Sequence, residues 1–249
     1  MTKNTILSRL KVKIFADGAE INSIKNLCKN SLVKGFTTNP TLMKKNSVSD
    51  YKNFAMEVLD SVEGKPVSFE VFADDINQME EQAMEISTWG KNANVKIPIT
   101  NTKGESTTEL IKKLSNKKIT CNVTAIFTLK QLNGVLKVLN PETPAILSIF
   151  AGRIADSGID PLPIMKNAVE LAKSKPKSNI LWASTREVLN IFQAENTGCQ
   201  IITVPNEILK KLSGIGVDLE QLSLETVSTF YKDAAIAGYT IETKKPYKK

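Results

Sequence analysis

The 249-residue sequence contains no histidine. This absence removes the side chain used most often for acid–base catalysis near neutral pH. It also excludes Ser-His-Asp and Cys-His catalysis and most zinc sites. Any chemistry must therefore depend on lysine, carboxylates, hydroxyls, cysteine or bound water, and we expect no metal ion and no cofactor.

Long apolar runs and a cysteine framework are absent as well. No stretch approaches the ~20 continuous apolar residues of a membrane helix, and the N-terminus lacks the apolar segment and cleavage site of a signal peptide. The three cysteines, Cys28, Cys121 and Cys199, are far apart and form no CxxC pair, which is typical of reduced core thiols. We therefore expect a cytoplasmic protein without a membrane partner.

The sequence carries a net charge of +7. Its lysines are spread along the chain, whereas a nucleic-acid binder would cluster basic residues with aromatic residues or a known motif. We therefore expect a lysine-rich solvated surface and no nucleic-acid partner. A basic surface would still attract anionic metabolites such as sugar phosphates.

Short apolar strands alternate with amphipathic helical patterns along the whole chain. Apolar spacing predicts helices over residues 51–62 and 75–86. Asp160 or Pro161 is expected to begin another helix, and Gly198 to end the helix that follows the seventh strand. The predicted strands span residues 12–16, 33–37, 66–72, 93–97, 118–124, 145–150, 179–184 and 199–204.

Eight such strands, each followed by a helix, predict an α/β fold of the (β/α)8 (TIM) barrel type, as a single domain over residues 1–249. A C-terminal helix is expected near residues 222–237, followed by a basic tail at 242–249. The main alternative is an open doubly wound sheet. No GxGxxG or GxxxxGK[ST] motif follows any strand, so a nucleotide site is not indicated.

Polar residues occupy one face of the central strands. Lys96 lies between Val95 and Ile97, and lysine is almost never fully buried unless it is paired. Since side chains alternate across a strand, the uniformly apolar set should contact the helices and the other set should face the barrel interior. That interior set is Glu70, Lys96, Asn122, Thr124 and Ser148, and Asp17, Asn39, Ser184 and Arg186 follow other strands. Barrel chemistry occurs at the C-terminal ends of the strands, so their convergence favours a functional site.

Each of these residues alone has a purely structural interpretation. Asp17 or Asn39 could cap a helix, with Pro40 at its first position. Glu70 could form a buried salt bridge with Lys96, and Asn122 could satisfy main-chain groups. Together, from five or more strands, they point instead to a site.

An enclosed lysine is suited to amine catalysis. Desolvation disfavours an ammonium group, and a neutral amine attacks a carbonyl to form a Schiff base. The protonated imine then accepts the electrons left by carbon–carbon cleavage, while Asp17 and Glu70 could move protons. Arg153, after the sixth strand, and Arg186, at the start of the helix after the seventh, suit phosphate oxygens. Their structural alternative is a pair of surface salt bridges.

The motifs GFTTNPTLM, VKIP, CNVTAIF, SIFAGRIAD and WASTREV occur in this order at the predicted strand ends. They resemble the transaldolase family of Schiff-base barrel enzymes, from about Val12 to the C-terminal helix. The resemblance implies that Lys96 forms the Schiff base and that Asp17 is the acid/base at the sugar C4 hydroxyl. It implies that Glu70 acts through a water held by Thr124. It also implies a substrate site formed by Asn39, Asn122, Ser148, Phe150, Arg153, Ser184 and Arg186, of which the arginines and Ser184 bind phosphate.

The implied reaction belongs to the pentose phosphate pathway. It moves a three-carbon dihydroxyacetone unit from sedoheptulose 7-phosphate to glyceraldehyde 3-phosphate, giving erythrose 4-phosphate and fructose 6-phosphate. Related fructose-6-phosphate aldolases release the unit instead, and resemble one another in carrying glutamine and tyrosine where this sequence has Glu70 and Phe150.

The fructose-6-phosphate aldolase remains the alternative function. A non-catalytic sugar-phosphate binder ranks lower, because it would not need a lysine on an inner face. We also expect a homo-oligomer, since short members of the family assemble as pentamers or decamers and long ones as dimers; the sequence leaves that choice open.

Overall fold

The computed structural model describes residues 3–242, with side chains from residue 6 onward. Eight parallel strands pair in sequence order, and the last pairs with the first, so the sheet closes into a barrel. The strands are β1 (Lys13–Asp17), β2 (Val33–Thr37), β3 (Val67–Glu70), β4 (Ala93–Pro98), β5 (Cys121–Ile126), β6 (Ala145–Ile149), β7 (Ser178–Trp182) and β8 (Ile201–Pro205). The predicted (β/α)8 barrel is confirmed and the open doubly wound sheet is excluded. The division of residues 1–249 into a single domain stays a prediction.

Helices connect consecutive strands. In the described residues they are α1 (Lys3–Ser8), α2 (Ile21–Cys28), α3 (Pro40–Lys45), α4 (Tyr51–Ser61), α5 (Ile76–Ser87), α6 (Thr108–Asn116), α7 (Leu129–Val138), α8 (Ala151–Asp156), α9 (Pro161–Ala172), α10 (Leu189–Thr197), α11 (Asn206–Lys211) and α12 (Leu219–Ala237), with a short 3-10 helix at Leu212–Gly214. The predicted helices over 51–62 and 75–86 correspond to α4 and α5. The sequence predicts one helix after each strand. β2, β6 and β8 are instead each followed by two α-helices.

Local sequence signals explain several helix boundaries. The side chain of Asp160 accepts a hydrogen bond from the main chain of Leu162, and Pro161 occupies the first turn of α9, where its missing N–H costs nothing. Gly198 ends α10 with φ +78°, a left-handed conformation that glycine adopts readily. Both predicted boundaries are confirmed.

Several strand ends differ from the prediction, by two or more residues in β3, β5, β7 and β8. β5 begins at Cys121, since Lys118 has φ +64° and interrupts an extended run there. β3 ends at Glu70, two residues before the predicted end. Alternation along the predicted strand places Phe72 on the same inner face as Glu70, and this prediction is wrong. The Phe72 ring is half-exposed and lies 4.5 Å from the ring of Tyr51.

The barrel has an outer core and a smaller inner core. Val95, Ile97 and Val123 lie fully buried in the core between the sheet and the helices, as the alternation predicts. Inside the barrel, a separate apolar cluster consists of Phe15, Ile146, Leu181, Ala183 and Ile201, with Phe150 packed against it. The three cysteines are buried free thiols.

The C-terminal helix α12 has no buried residue. The predicted helix at 222–237 is confirmed, with an earlier start at Leu219. The predicted basic tail lies outside the described residues, apart from Glu242. No helix among residues 3–242 is both long enough and apolar enough to cross a membrane.

Candidate active site

A cavity of about 230 Å³ opens among residues at the C-terminal ends of the barrel strands. Nine of the eleven predicted site residues line it: Asp17, Asn39, Lys96, Thr124, Ser148, Phe150, Arg153, Ser184 and Arg186. Glu70 and Asn122 are not part of its lining, although each bonds to a residue that is. The sequence therefore predicted the position of the cavity and most of its wall.

Lys96 is the buried cation of this cavity, with a relative exposure of 7%. Its Nζ lies 3.0 Å from Glu70 Oε2 and donates a hydrogen bond to the main-chain oxygen of Thr38 at 2.9 Å. The sheet register produces this pairing, because Glu70 on β3 lies directly beside Lys96 on β4. A lysine can be buried here because a carboxylate and a carbonyl compensate its charge. The salt bridge expected under the structural interpretation is present.

Asp17 is the last residue of β1, two strands away from Glu70 at the end of β3. Burial raises the pKa of Asp17, and the charge of Lys96 and a hydrogen bond from Thr37 lower it in part. Thr37 Oγ1 donates to Asp17 Oδ1 at 2.8 Å. The possibility that Asp17 caps α2 is wrong, because Glu20 accepts the hydrogen bonds at that helix end.

Asn39 caps a helix and also lines the cavity. Its Oδ1 accepts a hydrogen bond from the main chain of Leu42 at 3.0 Å and caps α3, with Pro40 at the first helical position. The same residue lines the cavity. Capping therefore fixes the orientation of a polar side chain at the cavity wall.

A hydrogen-bonded chain crosses the barrel interior beside the cavity. Ser148 Oγ donates to Asn122 Oδ1 at 2.6 Å, and Asn122 Nδ2 donates to Ser68 Oγ at 2.9 Å. Asn122 has no exposed surface and so contacts the cavity through Ser148. Thr124 differs, because its buried Oγ1 has no hydrogen-bond partner among the described residues. An unpaired buried hydroxyl costs free energy, and this one is available to bind a water or a ligand.

The two predicted phosphate arginines differ in their partners. The Arg153 guanidinium lies 5.3 Å from the centroid of the Phe150 ring and makes no salt bridge within the described part of the chain. Arg186 Nε donates to both carboxylate oxygens of Asp156 at 3.1 Å, and its terminal nitrogen binds one of them. For Arg186 the structural alternative, a surface salt bridge, is therefore present.

Arg186 does not open the helix after β7, as the sequence suggested, because α10 begins at Leu189. Ser184 has φ +63°, which turns the chain away from a helix. The Asn190 side chain then accepts a hydrogen bond from the main chain of Arg186 at 2.8 Å and holds the segment as a turn.

Gly152 allows the two arginine-bearing segments to touch. A Cβ atom on Gly152 would lie 1.6 Å from the main-chain oxygen of Ser184, which no other residue could tolerate. The main-chain N–H of Gly152 also donates to the oxygen of Ala183 at 3.2 Å. The two segments of the cavity wall that carry Arg153 and Arg186 are therefore in direct main-chain contact.

The sequence matches the family model described as Transaldolase/Fructose-6-phosphate aldolase over residues 14–244. The chain belongs to this family. Curated relatives agree. A "Probable transaldolase" of Dehalococcoides mccartyi is 36% identical over 203 residues, covering 81% of this chain and 90% of that protein. A "Probable transaldolase" of Thermoplasma volcanium is 35% identical (81% and 87%), and a "Probable transaldolase 2" of Listeria monocytogenes is 33% identical (81% and 88%).

Family membership indicates a transaldolase-type enzyme, and the resemblance inferred from the sequence motifs is confirmed. In this member of the transaldolase family, no group of three or more cysteine, aspartate or glutamate side chains that could hold a metal ion occurs in the described part of the chain.

Several residues of this family member's cavity were not predicted from the sequence. Thr37 and Thr203 line the cavity beside Asp17, and Leu181 and Thr185 also line it. The alternation that identifies Lys96 and Asn122 also identifies Thr37 and Thr203, when it is extended to the second and eighth strands. No local signal identifies Leu181, because the sequence does not distinguish an apolar residue that lines a cavity from one that packs in the core.

Proposed function

We propose that the protein is a transaldolase that carries a three-carbon dihydroxyacetone unit as a Schiff base on Lys96. The donor would be sedoheptulose 7-phosphate or fructose 6-phosphate, and the acceptor an aldose phosphate. The observation that carries this proposal is the buried amine of Lys96, which lines the cavity and lies 3.0 Å from the Glu70 carboxylate.

The first stage is imine formation. Lys96 Nζ attacks the ketose carbonyl carbon, and the carbonyl oxygen leaves as water after two protonations. Glu70 is the group closest to the amine that can accept a proton from it and return one to the departing hydroxyl. The unpaired Oγ1 of Thr124 is suited to hold the water through which Glu70 acts.

The second stage is cleavage and transfer. Asp17 removes the proton of the C4 hydroxyl, the C3–C4 bond breaks, and its electron pair moves into the iminium to give an enamine. The shorter aldose phosphate then leaves. The enamine attacks the acceptor aldehyde, Asp17 returns the proton to the new hydroxyl, and water releases the product from Lys96. The burial that raises the pKa of Asp17 favours its proton-carrying form.

Phosphate recognition is proposed for Arg153, Ser184 and Arg186. We expect Arg153 to contact the phosphate first, because it forms no salt bridge in the described residues, whereas Arg186 must release Asp156 to bind the substrate. We expect Arg153→Ala to raise the KM for fructose 6-phosphate by about 10–100-fold, the loss of one charge-assisted contact. Cleavage of unphosphorylated fructose should be unaffected, and an unchanged KM for the phosphate ester would remove Arg153 from the site.

Borohydride trapping tests the proposal directly. The protein is incubated with fructose 6-phosphate, reduced, digested and examined by mass spectrometry, and a three-carbon adduct is expected on the peptide containing Lys96. Lys96→Met should give no adduct. Lys175→Met is the matched control, because the Lys175 amine is half-buried and also donates to a main-chain oxygen, that of Leu139, at 2.6 Å. An adduct on another lysine, or none from folded protein, would refute the mechanism.

The fate of the three-carbon unit separates the two activities that the family description names. With erythrose 4-phosphate present, a transaldolase forms sedoheptulose 7-phosphate, whereas an aldolase releases free dihydroxyacetone. We propose transfer, because Phe150 lines the cavity with a ring that has no proton to donate. Release that equals or exceeds transfer would assign the protein as a fructose-6-phosphate aldolase.

We also propose that the protein is a homo-oligomer. Helix α12 exposes several large apolar side chains, among them Leu224, Val227 and Phe230, and contiguous exposed apolar surface of this kind is typical of an interface. The proposed partner is a second copy of the chain. Light scattering should give a mass above 27.4 kDa, and Val227→Lys together with Phe230→Lys should lower it to the monomer value. A monomeric parent protein would contradict the proposal.

A further inference from the structure

We propose that Thr203 and Thr37 form a directed hydroxyl relay to Asp17. This relay keeps one carboxylate oxygen as a permanent acceptor and leaves the other to carry the proton of the reaction. The inference rests on the proposed function, in which Asp17 is the acid/base. It makes Thr203, which has no role in the reaction described so far, a positioning residue.

The three side chains come from neighbouring strands at the closure of the barrel. β1 pairs with β2 on one side and with β8 on the other, and the register sets Asp17 beside Thr37. Thr37 Oγ1 is 2.8 Å from Asp17 Oδ1 and within hydrogen-bond distance of Thr203 Oγ1. Both hydroxyls belong to buried residues at the cavity wall. The chain Thr203–Thr37–Asp17 is therefore continuous.

The number of hydrogen atoms fixes the direction of this chain. A hydroxyl has one hydrogen to donate, and an ionised carboxylate can only accept. When Asp17 is ionised, the hydrogen of Thr37 must point to Asp17, so Thr203 must donate to Thr37. Reversal would require another acceptor for the Thr203 hydroxyl, and among the described residues Thr37 is the one side chain that forms a hydrogen bond with it. The main-chain oxygen of Thr203 is itself occupied by the hydroxyl of Thr185 at 2.7 Å.

A fixed direction gives the two oxygens of Asp17 different roles. Oδ1 receives the Thr37 hydrogen bond in both protonation states, so a proton on Oδ1 would break the relay. Oδ2 has no hydrogen-bond partner among the described residues, and it is the atom that binds and releases the C4 proton. Because a hydroxyl that itself accepts a hydrogen bond is a stronger donor, Thr203 strengthens the contact between Thr37 and Asp17.

Removing the relay should change how the enzyme responds to pH. Burial raises the pKa of Asp17, and the charge of Lys96 and the hydrogen bond from Thr37 lower it, while the Glu70 carboxylate adds a smaller upward effect. Lys96 and Glu70 are present in every variant compared, so only the Thr37 contribution changes. Loss of either hydroxyl should therefore raise that pKa. Thr37→Val is expected to shift the acidic limb of the pH profile of kcat upward by about one pH unit. Thr203→Val should shift it by about half as much, because it acts through Thr37.

The experiment compares pH profiles of kcat and kcat/KM for transfer from fructose 6-phosphate to erythrose 4-phosphate. Thr203→Ser keeps the hydroxyl and should restore the parental profile. Thr143→Val is the matched control, since Thr143 is also buried and its hydroxyl donates to the oxygen of Ser115 at 2.7 Å, away from the cavity. Valine has nearly the shape of threonine, and the melting temperature of each variant is measured to confirm folding.

An upward shift in Thr203→Val, absent in Thr203→Ser and Thr143→Val, supports the relay. A lower kcat with an unshifted limb, or a Thr203→Ser variant that behaves like valine, would overturn it. Failure of the proposed function is separable, because it shows as the absence of a Lys96 adduct in the parent protein. In that case the Asp17 carboxyl is titrated by ¹³C NMR, assigned with Asp17→Asn, and an unchanged titration in Thr203→Val refutes the relay without any turnover.

Discussion

The barrel interior holds two sets of buried side chains that differ in chemistry. The inner polar set, on β3–β6, is Ser68, Glu70, Lys96, Asn122, Thr124 and Ser148; the inner apolar cluster, on β1 and β6–β8, is Phe15, Ile146, Leu181, Ala183 and Ile201. Both are enclosed by the same sheet, so a filled barrel does not require polar residues. The apolar cluster is explained by packing, whereas each buried polar group costs free energy unless it is paired. The polar set is therefore the part of the interior that packing leaves unexplained.

The largest effect on stability is expected in the apolar cluster. Leu181→Ala should lower the free energy of unfolding by about 2–5 kcal/mol, because it leaves a cavity at a residue with 1% exposure. Denaturant unfolding measures this value. The same substitution at Leu189, which is 55% exposed on α10, should change it by less than about 0.5 kcal/mol. Equal losses at the two positions would mean that the inner cluster is loosely packed.

A smaller loss is expected from the polar set. Ser148→Ala removes the donor to the fully buried Asn122 Oδ1, and an unsatisfied buried acceptor costs about 1–3 kcal/mol. Ser174→Ala is the control, because it removes an exposed hydroxyl that follows α9 and donates to the main-chain oxygen of Leu171. Urea midpoints compare the two variants. A neutral Ser148→Ala would indicate that water replaces the hydroxyl.

The effect of Asp17→Asn should depend on pH. Because the folded-state pKa of Asp17 is raised above 3.8, the folded protein holds a proton that the unfolded chain has released. The contribution of Asp17 to stability therefore falls as pH rises from 3.8 towards the folded-state value. Asp17→Asn should melt at a higher temperature than the parent at pH 7, and this advantage should disappear below pH 3.8. A gap in melting temperature that is the same at both pH values would contradict the raised pKa.

No loss of stability is expected at Thr124. Its buried hydroxyl has no partner among the described residues, so Thr124→Val should raise the free energy of unfolding by up to about 1 kcal/mol while turnover falls. Thr107→Val is the contrasting variant, since the buried Thr107 hydroxyl donates to the oxygen of Pro98 at 2.6 Å and its loss should destabilise the fold by about 1 kcal/mol. Thr124→Val with full activity would remove Thr124 from the site.

The sequence predicts the barrel and the polar set because both depend on local patterns. Alternation with a period of two identifies Lys96 and Asn122 as neighbours on one face, and the register of β4 and β5 confirms it. The same pattern fails at Phe72, since nothing local marks Glu70 as the end of β3. Strand ends depend on partners that are distant in the sequence.

Contacts across the barrel closure and between loops are not predictable from local patterns. The Thr37–Thr203 contact joins residues 166 positions apart, and the Arg186–Asp156 pair depends on a turn set by Ser184 at φ +63°. The turn decides whether Arg186 pairs with Asp156 or is free to bind a ligand. The motif WASTREV is compatible with either arrangement. The sequence therefore identifies the residues of the site better than it identifies their partners.

The contact at Gly152 has a consequence for how substrate preference could change. A side chain there would collide with the main chain of Ser184, so the segments carrying Arg153 and Arg186 cannot move independently. If a library randomises only one of the two segments, the unchanged segment would prevent most variants from altering the position of their arginine. Selection for an acceptor with a bulkier or uncharged end should therefore recover paired substitutions, one in each segment, while Gly152 stays constant.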